Sequence, residues 1–372
     1  MARADLPPGD GLDTAAVIRS FSELAPHLRR HLGPALAERF LAAGDLSTAT
    51  GIRNAIARSG DATRSEELTL VEARLDLSHG EDAVADARID DVLSQGGRAT
   101  PDALVLRLET ELATGQPPAP DDIGLAEALA FERRGTALGA RLLSLAIRGH
   151  GALGDFATAF RLLAHHGLEG QQDLASALVL GLARDGADAD MLYQAYAGAL
   201  THPDLAASPE AWLAVADRMT RLGFAQRAEE ILAGIAPQGS TEERLVRARL
   251  ALAGNRPGQA QQYLGGLDGS QADVLRGEAA QRQGDLKAAA DYFGAAGQTG
   301  RQSALSWRAR DWDAVQAVGG EARVALAAER AQARTAELPQ EPSLAAARAV
   351  LADSARMRDR LRGVLGAAVP QP

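Results

Sequence analysis

One run of glycines has the spacing that could hold a dinucleotide. Gly149, Gly151 and Gly154 fit the pattern G-x-G-x-x-G, in which glycines let the backbone approach a pyrophosphate at the start of a helix. That chemistry needs a β-strand before the glycines and an acidic residue on a second strand after them. Residues 142–147 could form the first strand, but nothing downstream predicts a sheet. The sequence therefore predicts no nucleotide and no other cofactor.

A metal site is the second chemistry to consider. Glu23, His27 and His31 are spaced by four residues, a spacing that can place zinc ligands on one face of a helix. Pro26 disturbs that helix, and no further strong cluster of ligands follows. The chain has no cysteine, which excludes thiolate metal sites and disulfides. We expect these three residues to be polar surface residues and predict no metal.

The familiar catalytic motifs are missing from the sequence. The chain contains no G-x-S-x-G, no G-x-x-x-x-G-K-[ST] and no H-E-x-x-H, and Lys287 is its only lysine. We therefore predict no catalytic residue and a protein that is not an enzyme. An enzyme with an unrecognised carboxylate site stays open as an alternative, because the chain has 49 Asp and Glu residues.

The composition indicates a packed helical protein with an acidic balance. Of its 372 residues, 46% are hydrophobic but only 4% are aromatic, and Ala and Leu dominate the apolar set, as is typical of helices. The net charge of -10 argues against a nucleic-acid partner, which requires a basic surface. No stretch of the sequence approaches the ~18 consecutive apolar residues that a membrane span needs, so we predict no transmembrane segment.

The beginning of the chain leaves its compartment open. Residues 1–10 are polar and contain prolines, without the apolar core of a signal peptide. Ala2-Arg3-Ala4 has the small-x-small form of a signal-peptidase site. We expect the bacterial periplasm if the chain is a trimmed mature form, and the cytoplasm otherwise.

A short sequence phrase recurs along the chain and indicates which helices position the candidate residues. It consists of an apolar helix, a Gly or Asn, a further residue that is usually polar, and an Ala five residues after the Gly or Asn. Its copies are residues 44–49, 80–85, 154–159, 223–228, 255–260 and 284–289. Three of the five intervals between the alanines are close to the roughly 34 residues of paired-helix repeats. The other two intervals are near double that period, and they predict one degenerate unit each.

The phrase has a physical reason in the geometry of a helix pair. Gly or Asn takes the left-handed conformation that ends the first helix, and a following Asp can accept hydrogen bonds from free N–H groups of the second. The Ala would lie where the two helices cross, because a larger side chain would separate them. We predict at least ten helices and no β-sheet.

The phrase resembles the inner half of the tetratricopeptide repeat. Trp212 lies eleven residues before Gly223, and Phe40 lies four before Gly44, where that family has aromatic residues. Gly277 takes the family's small position seven residues before a turn glycine, and Phe293 takes its aromatic position in the second helix. Arg276 departs from the pattern, which has Leu there.

The resemblance implies an all-α fold, an α-solenoid in which antiparallel helix pairs stack into a degenerate tetratricopeptide-like superhelix. A generic Ala-rich helical bundle is the alternative. We predict N-terminal helical repeats over 1–114, a repeat array over 121–318, and C-terminal helices over 319–372, with a short rigid connector between the first two segments.

The resemblance also implies a function, namely that the concave groove of the solenoid binds a segment of another protein. The family's groove positions fall on Arg148, Asp217, Arg221, Arg249, Glu278 and Arg282. Their mixed charge suits an extended peptide of alternating charge, although plain solvation is the alternative for each of them. A structural or assembly component of an envelope machine, such as a flagellum or pilus, is the alternative function. The sequence predicts no oligomeric state.

The last predicted helix, over residues 343–365, is basic and amphipathic. Val350, Met357, Leu361 and Val364 form one apolar stripe along it. Five arginines outweigh two aspartates by three charges, and these arginines are Arg348, Arg356, Arg358, Arg360 and Arg362. We expect the helix to cap the last repeat, with the stripe packed on the segment around Trp307 and Trp312. A partner's groove or a membrane surface is the alternative.

Overall fold

The computed structural model describes residues 13–58, 65–165, 172–202, 205–335 and 344–368. Within these ranges the chain forms 21 α-helices and one short 3-10 helix, and it contains no β-strand. The predictions of an all-α fold and of at least ten helices are confirmed. The helices pack mostly against their neighbours along the chain, in sequential pairs. Their contacts divide the chain into two units, one ending at Ser208 and one beginning at Pro209.

The first unit contains eleven α-helices in its described part. In chain order they are Thr14–Ser22 (α1), Pro26–Ala42 (α2), Leu46–Ala57 (α3), Glu66–His79 (α4), Asp82–Gln95 (α5), Thr100–Thr114 (α6), Pro120–Glu132 (α7), Ala137–Ala152 (α8), Phe156–His165 (α9), Gln172–Asp185 (α10) and Asp188–Tyr196 (α11). The 3-10 helix covers Ala199–Thr201. One hydrophobic cluster joins α1 to α4, a second joins α4 to α6, and a third joins α6 to α8. Successive clusters therefore share a helix.

The second unit contains ten α-helices in its described part. They are Pro209–Arg221 (α12), Ala225–Ala233 (α13), Thr241–Ala253 (α14), Pro257–Leu264 (α15), Ser270–Gln283 (α16), Leu286–Ala295 (α17), Thr299–Ala309 (α18), Trp312–Val318 (α19), Glu321–Thr335 (α20) and Leu344–Ala368 (α21). One hydrophobic cluster spans α14 to α16, and the next spans α16 to α18. The same sharing of a helix between clusters thus occurs in both units.

The turn residues of the repeated phrase behave as predicted. All six have a left-handed backbone, with φ between 54° and 88°, and they are Gly44, Gly80, Gly154, Gly223, Asn255 and Gly284. The alanine five residues later is completely buried in every copy. In three copies the following aspartate, namely Asp45, Asp155 or Asp285, accepts a hydrogen bond from the backbone N–H three residues on. The register of the repeat is therefore confirmed at these pairs.

The two doubled intervals each contain two further helices, which contact each other less than most of the helix pairs that carry the phrase do. In the first interval α6 and α7 are joined through left-handed Gly115, and fully buried Ala126 lies somewhat more than one repeat period after Ala85. In the second, α10 is followed by α11, and fully buried Met191 lies one repeat period after Ala159. A larger buried side chain therefore takes the place of the alanine at Met191.

A further copy of the phrase, which the sequence did not reveal, joins α18 and α19. Arg310 takes the left-handed turn position with a φ of 60°, and Asp311 accepts a hydrogen bond from the backbone N–H of Ala314. Val315, five residues after the turn, is completely buried. The sequence does not indicate this pair, because an arginine stands in place of glycine and a valine in place of alanine.

The positions that carry the family resemblance have clear packing roles. A Cβ atom added at Gly277 would lie 2.9 Å from the ring of Phe293, so the small residue lets the two helices of this pair approach. Arg276, which departs from the family pattern, donates hydrogen bonds to the carbonyls of Leu264 and Leu267 and to Asp273. The guanidinium thus donates hydrogen bonds to carbonyl groups at and just after the end of α15, which a leucine side chain could not do.

The predicted connector, residues 115–120, leads from α6 into the first residue of α7, and these two helices share one hydrophobic cluster. Leu108 of α6, Ile123 of α7 and Leu142 of α8 are all buried in that cluster. The connector therefore runs over a continuous core in this part of the first unit. The division into segments 1–114, 121–318 and 319–372 stays a prediction.

The C-terminal helix α21 does not bury the described part of its apolar stripe. Val350 is 59% exposed and Leu361 is 36% exposed, whereas the side chain of Val364 lies outside the described residues. The helix contacts α20, where Arg360 forms an ion pair with Glu329. Trp307 and Trp312 instead contact each other edge to face, with ring centroids 5.2 Å apart. The expected burial of this stripe against the tryptophan segment is therefore wrong for Val350.

Candidate functional site

The first helix of each pair, which precedes the turn residue, is the element that positions the candidate residues. These first helices are α2, α4, α6, α8 and α10 in the first unit, and α12, α14, α16 and α18 in the second. Several of them contact each other directly across the intervening second helix, including α2 with α4, α6 with α8, and α12 with α14. Side chains on neighbouring first helices can therefore interact.

Ion pairs connect neighbouring first helices in both units. Each pair joins a carboxylate on one first helix to an arginine on the next. The pairs are Glu38 with Arg74 at 2.7 Å, Glu109 with Arg141 at 2.6 Å, Asp217 with Arg249, and Glu278 with Arg301 at 3.5 Å. In the first three pairs the two partners lie one repeat period apart in the sequence, so they occupy equivalent places in successive repeats.

In the second unit, the predicted groove residues are engaged with one another or with the backbone. Asp217 forms ion pairs with both Arg221 and Arg249. Arg282 donates a hydrogen bond to the carbonyl of Leu252, and Glu278 pairs with Arg301. The structure therefore brings together three of these residues, around Asp217, and assigns each of the five an intramolecular contact.

Arg148 differs from the other predicted groove residues. It is exposed on α8 in the first unit and has no ion-pair or hydrogen-bond partner among the described residues. It lines a cavity of about 230 Å³ that α6, α8 and α10 form together. The other lining residues are Glu109, Arg141, Ser144, Leu145, Asp173 and Leu174. The cavity thus combines a free guanidinium with a buried apolar floor.

The Arg141–Glu109 pair forms one wall of this cavity. Arg141 donates from Nε and Nη2 to the two carboxylate oxygens of Glu109, at 2.6 and 2.7 Å. Such a bidentate pair fixes the orientation of both side chains. Because Arg141 is held in this way, Arg148 is the arginine of the cavity that can turn towards a ligand.

Charges of alternating sign follow the first helices of the first unit. Glu38 on α2, Arg74 on α4, Asp102 on α6 and Arg141 on α8 lie near enough for electrostatic interaction. Burial raises the pKa of Glu38; Arg74 acts against this rise, and Asp102 adds to it. The surface that leads to the cavity therefore carries acidic and basic groups in alternation.

The second unit has a cavity of a different kind, next to second helices. It has a volume of about 190 Å³ and is formed by α13, α14, α15 and the turn before α15. Leu232, Leu250 and Ala251 form a buried apolar floor, and Arg256 and Glu229 form an ion pair at its edge. This cavity contains none of the predicted groove residues.

The glycine run lies in a helix and in the turn that follows it. Residues 142–147 belong to α8, so the β-strand that a dinucleotide site requires is replaced there by helix. A Cβ atom at Gly149 would lie 2.8 Å from Ile123, and one at Gly151 would lie 2.9 Å from Leu178. These glycines allow close helix packing, while Gly154 is the turn residue.

His150, within the glycine run, lies between two carboxylates. Its Nε2 is 2.7 Å from Glu127 on α7, and its Nδ1 is 3.3 Å from Asp155 in the turn. Burial would raise the pKa of Asp155, but hydrogen bonds from Thr158 and the nearby His150 lower it overall. The sequence pattern did not predict this contact, since the three residues come from two helices and a turn.

The predicted surface positions of Glu23, His27 and His31 are confirmed, because all three are exposed. Glu23 follows the end of α1, and the two histidines lie in α2. Over the part of the chain that the structure describes, no group of three His, Asp or Glu residues could hold a metal ion. In the same part, no helix is both long and apolar enough to span a membrane.

Comparisons with known proteins assign the chain to no family. No protein-family model matches it, and no curated protein matches it significantly. Function must therefore be inferred from the residues and from the geometry of the first helices.

Proposed function

We propose that the chain is a tetratricopeptide-like solenoid that binds an extended segment of another protein along its first helices. Support comes from the left-handed turns, the fully buried alanines and the contacts between alternate helices. Repeats of this kind bury a continuous core and leave a surface formed by equivalent helices, on which a ligand can lie. We propose that α20, which packs against α19 through Leu326 and Ala327, closes the C-terminal end of this array.

The observation that carries the proposal is the cavity that contains Arg148. Its guanidinium, which has no partner among the described residues, lines this cavity together with the apolar Leu145 and Leu174 and the oriented Arg141–Glu109 pair. A guanidinium without an intramolecular partner retains its hydrogen-bond donors for a carboxylate of the ligand. The surrounding alternation of charges favours a peptide that itself carries both signs.

The five candidate residues of the second unit have a different place in this proposal. A ligand that bound Asp217 or Arg249 would have to compete with their ion pair, whose side chains are only 14% and 24% exposed. Breaking a partly buried pair costs more than displacing water from a free side chain. We therefore assign Asp217 and Arg249 to the connection of α12 with α14, and Arg148 to the ligand.

The test is selection of linear peptides from a random display library with the full chain. We expect the enriched peptides to contain an acidic residue and to bind Arg148→Glu about tenfold more weakly, which corresponds to the loss of one charge-assisted hydrogen bond. Arg98→Glu is the matched control, because Arg98 is exposed and lies outside the cavity. Binding should be measured by fluorescence anisotropy.

Two results would refute the proposal. One is failure of the selection to enrich any common sequence. The other is an enriched peptide whose affinity is the same for the wild type and for Arg148→Glu. The enzyme and envelope-machine alternatives stay predictions. Glu38 and Glu111, the carboxyl groups with a raised pKa among the described residues, line neither of the two cavities.

A further inference from the structure

An exposed apolar seam runs along the C-terminal helix α21. Ala347, Val350, Ser354, Met357 and Leu361 follow one another at intervals of three, four, three and four residues. This is the spacing at which one helix faces another in a coiled coil. In this structure Ala347, Val350 and Ser354 are exposed, and Met357 is partly exposed. An apolar seam of this length in contact with water indicates an interaction surface.

The neighbouring helix α20 leaves the N-terminal half of this seam uncovered, where Val350 is 59% exposed. It contacts α21 near Arg360, which pairs with Glu329. Leu326 and Ala327 are buried residues of α20 within the part whose side chains the structure describes, and α20 packs chiefly against α19. The N-terminal half of the seam, around Val350, is therefore left without a described contact.

Charged residues at the two edges of the seam identify what covers it. Asp353 lies on one edge, directly before Ser354, and Arg358 lies on the other, directly after Met357. In two parallel helices in register, a residue on the first edge faces the residue five positions later on the partner's second edge. Asp353 and Arg358 are separated by five positions and have opposite charge. Asp353 of each copy would face Arg358 of the other copy, so the two pairs would be equivalent, as two-fold symmetry requires.

We infer that α21 is a self-association helix, which pairs in parallel and in register with α21 of a second copy of this chain. The apolar seam provides the contact, and two Asp353–Arg358 pairs at its edges fix the direction and the register. An anionic membrane fits this helix less well, because the seam is narrow, contains Ser354 and carries Asp353 at its edge. The inference does not depend on the function proposed for Arg148.

The first test is the mass of the full chain in sedimentation equilibrium over a wide concentration range. We expect the wild type to convert from one chain to two as concentration rises. Val350→Glu should weaken this association about tenfold or more, because it places a charge in the seam. Val350 is 59% exposed in the single chain, so the variant should fold as the wild type does, as judged by circular dichroism.

Leu344→Glu is the matched control for this variant. Leu344 belongs to the same helix and is 82% exposed, but it lies outside the three-four spacing of the seam. We expect it to associate as the wild type does. A wild type that stays a single chain at every concentration overturns the inference. Equal weakening by both variants also overturns it, as does capture of single chains by vesicles that contain an anionic lipid.

The direction of pairing has its own test. Asp353→Arg alone should weaken the association about threefold or more, since it places two like charges at each edge. Adding Arg358→Asp should restore it. The intrahelical pair of Asp353 with Arg356 is mostly exposed and contributes little, so its loss leaves the helix intact. Failure of the double variant to recover would contradict the parallel register.

Discussion

At the scale of single residues, each repeated helix pair depends on two positions with opposite requirements. The turn residue must adopt a left-handed backbone, which Gly and Asn do at least cost. The residue five positions later must be small enough for two helices to cross, and it is fully buried in all six copies of the phrase. Arg310 shows that tertiary packing can impose the left-handed turn on a residue that local preference would not select. Val315, five positions later, shows that the crossing can hold a side chain larger than alanine.

Enlarging a crossing alanine is expected to destabilise the fold. Ala228→Leu and Ala289→Leu should each lower the free energy of unfolding by about 1–3 kcal/mol, because both sites are fully buried and have no room for three more carbons. Chemical denaturation followed by circular dichroism measures the change. Ala295→Leu, at an exposed position of α17, is the control. Variants that unfold like the parent would show that the repeat register is wrong.

At the scale of helices, the sequence predicted the pairs better than the contacts between them. Each copy of the phrase is contained within six consecutive residues, so its glycine and alanine can be recognised directly in the sequence. The Glu109–Arg141 and Asp217–Arg249 pairs each join residues that lie a full repeat apart in the sequence, and they become recognisable only when the bounds of the helices are known. The free side chain of Arg148 could not be predicted, because it depends on which neighbour each arginine selects.

Helix α14 shows how one carboxylate organises the start of a helix. Glu243 is only 3% exposed, pairs with Arg247 at 2.7 Å and accepts hydrogen bonds from the backbone N–H groups of Gln238 and Gly239. Burial would raise the pKa of Glu243, but these hydrogen bonds outweigh it and lower the pKa below its ordinary value of 4.5. The ionised carboxylate of Glu243 therefore holds the preceding loop against the first turn of α14 through these hydrogen bonds.

This shift predicts how stability depends on pH. A carboxyl group with a lowered pKa in the folded state contributes stability above its ordinary pKa, and this contribution is lost as the pH falls through the folded-state value. Glu243→Gln should therefore reduce stability at pH 7 by about 1–3 kcal/mol, and the difference from the wild type should shrink below pH 4.5. Thermal unfolding at several pH values measures this. A difference that stays constant with pH would show that Glu243 acts without its charge.

At the scale of the whole molecule, α20 covers the last helix pair, α18 and α19, by packing against α19. Leu326 and Ala327 of α20 are buried, as is Val315 of α19. The exposed residues of α21 contribute no comparable burial, with Leu344 at 82% and Leu351 at 68% exposure. The amphipathic pattern of α21 predicts a cap on the last repeat, but a cap and a coiled-coil seam share this pattern. Burial distinguishes the two, and it favours α20 as the helix that covers α19.

Removal of residues 344–372 separates these two roles of the C-terminal helix. If α20 closes the array, the shortened chain should stay soluble, and its melting temperature at low concentration should change by less than about 4 °C, the shift produced by roughly 1 kcal/mol in a domain of this size. The two-chain species should disappear from sedimentation experiments at high concentration. The comparison must be made at low concentration, because association itself stabilises the folded wild type. Aggregation of the shortened chain, with a clearly lower melting temperature, would instead identify α21 as the cap, since an uncovered terminal repeat exposes apolar surface.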